Sequence, residues 1–222
     1  MEDLIKQTDT AIEQIENTGV AMAGEGRVKV FIPNIGDVYL KDPTGRDMMI
    51  ARNVANQAKI EARKEGYPTK IEVLQSEYGL KVFPIEDRNR LSQLNDEIAS
   101  LIKQYVDAKT KKKKADILRA LYDMKPEWDR LRSIEAELTA DTADEASEII
   151  YRLAMFVLRA VDENGEYIFE SIRNGKTAEN VKKAIEKIKD MPIDTYLTIA
   201  YSLAVSQDII NDIPEDLRDF FF

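Results

Sequence analysis

Lys109 and Lys111–Lys114 place five primary amines within six residues, in the run KTKKKKAD. A cluster of this kind attracts phosphate or carboxylate, and it releases counterions when it meets a nucleic-acid backbone. Two features weigh against nucleic acid. No aromatic residue or arginine is interleaved for base stacking, and Asp107 and Asp116 flank the run. Like charges are best tolerated where water and salt screen them, so the run reads as a solvated turn that is also open to an acidic protein partner.

Three further stretches invite a chemical reading. DPTGRD, residues 42–47, has the look of a phosphate loop but lacks the second glycine, lysine and hydroxyl residue in the order such a loop needs. It fits better as a strand-to-helix turn in which Asp42, Thr44 or Asp47 caps the helix that follows. DENGEYIFE, residues 162–170, gathers the oxygen donors of a calcium loop, yet Gly165 falls at the fourth position rather than the sixth and Arg173 stands where the bidentate glutamate belongs. A tight turn is expected there. Asp141, Asp144, Glu145 and Glu148 could face a magnesium ion from one helix, but with 41 acids in 222 residues such rows arise readily, and a helix start favours them.

Composition removes whole classes of chemistry. The chain has no cysteine, hence no disulfide, thiolate metal site or thiol nucleophile. It has no histidine either, so the commonest general base and transition-metal ligand are missing. No catalytic residue, metal or cofactor is assigned, and a non-enzymatic protein is expected. The net charge of −9 is concentrated in residues 139–222, with 17 acids against 9 bases, which opposes adhesion to nucleic acid or anionic lipid. The first residues lack a secretory pattern, and the longest apolar stretch is interrupted by Arg152 and Arg159, so a cytosolic compartment is expected.

The elements that must position these residues follow from periodicity. A polar helical arm is expected over 2–16, and alternation in RVKVFIP and DVYLKD predicts a β-hairpin over 27–41 with Pro33, Asn34 and Gly36 in its turn. A helix should run from Gly45 to Lys64, and a short one, TKIEVLQSEYG, should open on a Thr69–Glu72 capping box and stop at Gly79. Leu91, Leu94, Ile98, Leu101 and Tyr105 share one helical face, as do Ile117, Leu121, Met124, Trp128 and Leu131. Two such helices joined by a short polar link predict an antiparallel hairpin with the lysines at its tip, kinked or restarted near Pro126. Thr142 and Glu145 open a core helix, Thr177 caps another, and Pro192 begins a long last one.

The fold expected is therefore mainly α, with a small N-terminal β-hairpin, a long antiparallel helical hairpin and a C-terminal helical core. Its segments are 1–84 (arm, β-hairpin and helices), 85–138 (helical hairpin) and 139–222 (helical bundle), with 85–222 able to pack as one unit. The terminal Phe220, Phe221 and Phe222 either fold back or form a partner-binding plug, and they join the five lysines as candidate contact residues.

FIPNIGDVYLKDPTGRD leading into a long helix, the GYPTKIEVL segment, the helical hairpin and the block TADTADEASEIIYRLAMFVLRAVDENGEYIF together resemble tailed-bacteriophage tail assembly chaperones and related small structural-module proteins. That resemblance implies a helical protein of the host cytoplasm, or of the virion, that binds a phage structural protein such as a tape-measure or tail protein and has no catalytic residues. A virion component retained in the particle is the nearest alternative, and a nucleic-acid-associated factor using the lysine cluster is the next. No membrane partner is expected, and a homo-oligomer is admitted.

Overall fold

The computed structural model describes the backbone of residues 21–23 and 27–202 and the side chains of residues 29–200. The helical arm expected over 2–16 and the three terminal phenylalanines lie outside the described residues. The described chain is mainly helical, with one small antiparallel sheet. Its described residues divide into two compact units, one made of those up to Glu61 with 146–202, the other of 62–145.

In the first unit, strands β1 (Ala21–Ala23), β2 (Arg27–Ile32), β3 (Gly36–Lys41) and β4 (Ala160–Val161) lie side by side in that order, all antiparallel. The hairpin β2–β3 spans the residues the alternation predicts. Val30, Ile32, Val38 and Leu40 turn into the core while Phe31 stays exposed, as the period of two requires. Asn34 and Gly36 take positive φ in the turn, the residue types that tolerate it. Asn34 Nδ2 also donates to Thr195 Oγ1 at 2.8 Å, which fixes the turn against the residues near 195.

Helix α1 (Gly45–Lys64) follows directly, with the expected bounds. The core of this unit is built by the sheet, by Ala51 and Val54 of α1, and by residues from four later segments. These segments are α6 (Ala143–Arg159), Phe169 with Ile172, α8 (Ala178–Lys189), and Ile199 with Ala200. The short α7 (Glu170–Arg173) sits between α6 and α8. The long helix expected after Pro192 begins there as α9 (Ile193–Leu197) but widens into a π-helical turn over Thr198–Ser202. At the junction the Thr198 hydroxyl donates to the Asp194 carbonyl, a side-chain bond that competes with the backbone ladder.

The second unit contains α2 (Lys70–Gln75), α3 (Glu77–Val82), α4 (Ile85–Asp107) and α5 (Lys111–Thr139). The last two form the antiparallel hairpin. Leu91, Leu94, Ile98 and Tyr105 of α4 are buried against Ile117, Leu121, Trp128 and Leu131 of α5, so the two apolar stripes read from the sequence are one core. Trp128 Nε1 donates to Asn95 Oδ1 at 2.8 Å, which satisfies the indole as it is buried. The helix runs on through Pro126 without restarting. Burial on the same face on both sides of the proline outweighs the lost backbone bond, which costs about 3 kcal/mol in an unsupported helix.

The segment expected as one helix over 69–79 is two. Ser76 ends α2 and caps α3: its hydroxyl donates to the Val73 carbonyl at 2.6 Å and accepts from the Gly79 N–H at 2.9 Å. Gly79 lies buried inside α3 rather than stopping a helix, and a side chain there would collide with the Val73 carbonyl. Arg88 ties both helices to the hairpin, donating to the carbonyls of Phe83 (2.7 Å), Leu74 (2.6 Å) and Gly79 (3.2 Å).

The structure thus divides the chain elsewhere than at 84 and 138. α2 and α3 join the hairpin because Phe83 is part of its core and Lys70 pairs with Glu135. Residues 160–202 join the N-terminal sheet, to which β4 ties them by pairing with β3.

Candidate functional site

The lysine cluster sits where the hairpin turns. α4 ends at Asp107, the Ala108 N–H bonds the Tyr105 carbonyl, and only Ala108, Lys109 and Thr110 link the two helices. Thr110 is the N-cap of α5, its hydroxyl accepting from the Lys113 N–H at 3.3 Å while its carbonyl takes the Lys114 N–H. Lys111–Lys114 are therefore not loop residues but the first turn of a 29-residue helix.

That placement is electrostatically adverse. The N-terminus of a helix carries a partial positive charge and favours acids, yet the first turn of α5 contains none. Lys109, just past the end of α4, faces the favourable negative end of that helix. Lys109, Lys111, Lys112 and Lys113 are exposed, and Lys114 folds back so that its ammonium lies 4.8 Å from the ring centre of the buried Tyr105. Among the described residues none of the five ammonium groups forms an ion pair. Val106, 54% exposed, adds an apolar side chain beside them. The arrangement can bind anionic groups, and its lysine stems can cover apolar surface as they do so.

The other stretches are occupied in structural roles. In DPTGRD the Thr44 hydroxyl accepts from the Asp47 N–H at 3.1 Å, and Asp47 Oδ2 accepts from the Thr44 N–H at 3.1 Å and its hydroxyl at 2.8 Å. The second Asp47 oxygen takes the Lys176 ammonium at 2.8 Å. Asp47 is 1% exposed. Burial pushes its carboxyl up, but the bonds from Lys176 and Thr44 more than offset this and hold it below the ordinary carboxylate value. For Lys176 burial acts downward, and the bonds to Asp47 and Tyr167 win, leaving the ammonium raised. The same Tyr167 ring has Lys176 and Lys41 at 4.9 and 5.0 Å, and Lys41 also donates to the Gly165 carbonyl at 2.8 Å. The capping residues were legible in the sequence. Lys176, 129 positions from Asp47, carried no local signal.

DENGEYIF is the tight turn expected: Asp162 Oδ1 accepts from the Asn164 and Glu166 N–H groups at 2.9 Å each, and Gly165 has φ +82°. In the acidic row, Asp144 accepts from the Lys70 N–H at 2.7 Å, the Glu145 N–H donates to the Thr142 hydroxyl, and Glu148 pairs with Arg152. Among the described residues no three acidic side chains converge as metal ligands would, and no helix is long and apolar enough to cross a membrane.

No family model, no curated protein and no solved structure matches this chain.

Proposed function

We propose that this chain is a non-enzymatic binding protein of phage particle assembly, a chaperone or adaptor for a phage structural protein such as a tape-measure or tail protein in the host cytoplasm. Its contact is the hairpin tip. The observation that carries the reading is the set of five ammonium groups, without ion-pair partners among the described residues, four of them in a helix turn where lysine works against the fold. Such a cluster suits a carboxylate-bearing protein surface. The flanking Asp107 and Asp116, the net charge of −9 and the absence of interleaved arginine all favour that partner over nucleic acid. The phage setting comes from the resemblance of the sequence blocks described above.

The test is affinity capture of the tagged chain from phage-infected cells, beside a variant with Lys109 and Lys111–Lys114 changed to glutamine. One or two stoichiometric phage proteins should be recovered with the parent and lost with the variant. Nucleic acid that survives moderate salt and is lost with the variant would instead identify a nucleic-acid factor. Presence of the chain in purified particles would mark it as a retained virion component rather than a chaperone.

A further inference from the structure

The gap between α2 and α3 is bridged by side chains that occupy the places of backbone groups. In one continuous helix the N–H groups of Glu77, Tyr78 and Gly79 would bond the carbonyls of Val73, Leu74 and Gln75, each one turn back. Here the Val73 carbonyl takes the Ser76 hydroxyl at 2.6 Å, the Leu74 carbonyl takes the Arg88 guanidinium at 2.6 Å, and the Gly79 N–H turns to the Ser76 hydroxyl at 2.9 Å. The N–H groups of Glu77 and Tyr78 open α3 and have no acceptor within it. Ser76 itself has φ −64° and ψ 157°. Its φ is that of a helix, and only its ψ departs from the helical value of about −42°. One torsion therefore separates two helices from one.

We propose that α2 and α3 are the halves of a single helix held apart by Ser76 and Arg88, a two-state element that joins when these side chains let go. Side chains satisfy the backbone groups in one form and the helix ladder satisfies them in the other, which is the condition for two states of similar free energy. The parted form keeps Leu74 and Phe83 on the core of the hairpin, with Phe83 1% exposed. Rotation at Ser76 moves one relative to the other, so the joined form gives up part of that burial for backbone bonds. Pro84 limits the change, because the residue before a proline disfavours helical geometry, and α4 beyond it is untouched. Joining also rearranges the surface. Ile71, Tyr78 and Val82, which are 65%, 68% and 38% exposed on two separate helices, come within about 40° of one line on a continuous helix. That apolar stripe exists only in the joined form.

Two positions distinguish the forms. In the parted form a Cβ at Gly79 would collide with the Val73 carbonyl and crowd the Leu74 carbonyl and the Ser76 hydroxyl, whereas alanine there favours a continuous helix. Proline at 77 does the reverse. It requires an extended residue before it, as Ser76 is, and it has no N–H to give the Val73 carbonyl, so it fits the parted form and excludes the joined one.

Amide hydrogen exchange of the full chain, read by NMR, tests this. G79A should slow exchange at Glu77 and Tyr78 about tenfold or more, since both amides gain helical acceptors. S76A and R88Q each remove one hold without adding a clash, and should slow the same amides by smaller factors. E77P should melt within about 2 °C of the parent. E77P/G79A should melt well below the sum of the two single effects, because neither form accommodates both residues. A G79A chain whose Glu77 and Tyr78 amides exchange as in the parent, or whose loss of stability simply adds to that of E77P, would overturn the proposal. Should G79A not fold, unchanged exchange at these amides in S76A overturns it equally, and slowed exchange there upholds it.

Discussion

At the scale of single residues, the Asp47–Lys176 pair is where burial and charge meet most directly. A carboxylate 1% exposed keeps its charge because three donor contacts converge on it, and these also lock the start of α1. Removing one partner of a buried pair costs more than the pair contributes, because the survivor is left desolvated. Asp47→Asn should therefore destabilise the protein by about 2–3 kcal/mol at pH 7. A folded-state pKa that is lowered gives stability present above the unfolded value, near pH 4, and lost as pH falls through the folded value. The gap between parent and Asp47→Asn in urea melts should thus be widest near neutrality and close as the solution is acidified past that point. A gap that persists unchanged at pH 2 would mean the carboxylate's charge is not what matters.

At the scale of elements, local patterns were legible wherever burial followed a period. The hairpin β2–β3, α1 and the two faces of α4 and α5 could all be read because each repeats every two, three or four residues. What could not be read depends on partners distant in sequence. β4 is two residues long and owes its strand character to pairing with Tyr39 and Leu40, about 120 positions away. Ser76 splits one apparent helix because a single hydroxyl serves both ends, a competition that propensity does not register. The lysine run was legible as a hairpin tip but not as a helix start, since its composition argues against the position it takes. That conflict has a measurable consequence. If the lysines are kept for contact rather than for folding, Lys111→Glu with Lys112→Glu should raise the melting temperature by about 2 °C, as acids in the first turn complement the helix dipole. A fall in melting temperature would assign these lysines a stabilising role and weaken the case for the tip as a binding site.

At the scale of the whole molecule, the absence of histidine and cysteine sets how the protein responds to pH. No side-chain type in the sequence has an ordinary pKa between about 5 and 10, so folded and unfolded chains bind nearly equal numbers of protons across that window. The shifts at Asp47 and Lys176 leave its edges at the unfolded-state values: the contribution of the lowered carboxyl is lost as pH falls from near 4 through its folded value, and that of the raised ammonium as pH rises from its ordinary value through its folded one. The melting temperature should therefore vary by no more than about 1 °C between pH 6 and 8.5, then fall on the acid side as paired carboxylates protonate. Binding through the tip should show the same plateau together with a steep dependence on salt, because lysine and carboxylate both stay charged throughout while their attraction is screened. This separates the occupants of the tip. A partner that offers only carboxylates brings no side chain with an ordinary pKa near neutrality, so binding to it must be flat from about pH 6 to 8.5. Binding that changes across that window would require a histidine on the other side of the contact, and would point to a different protein seated on the lysines.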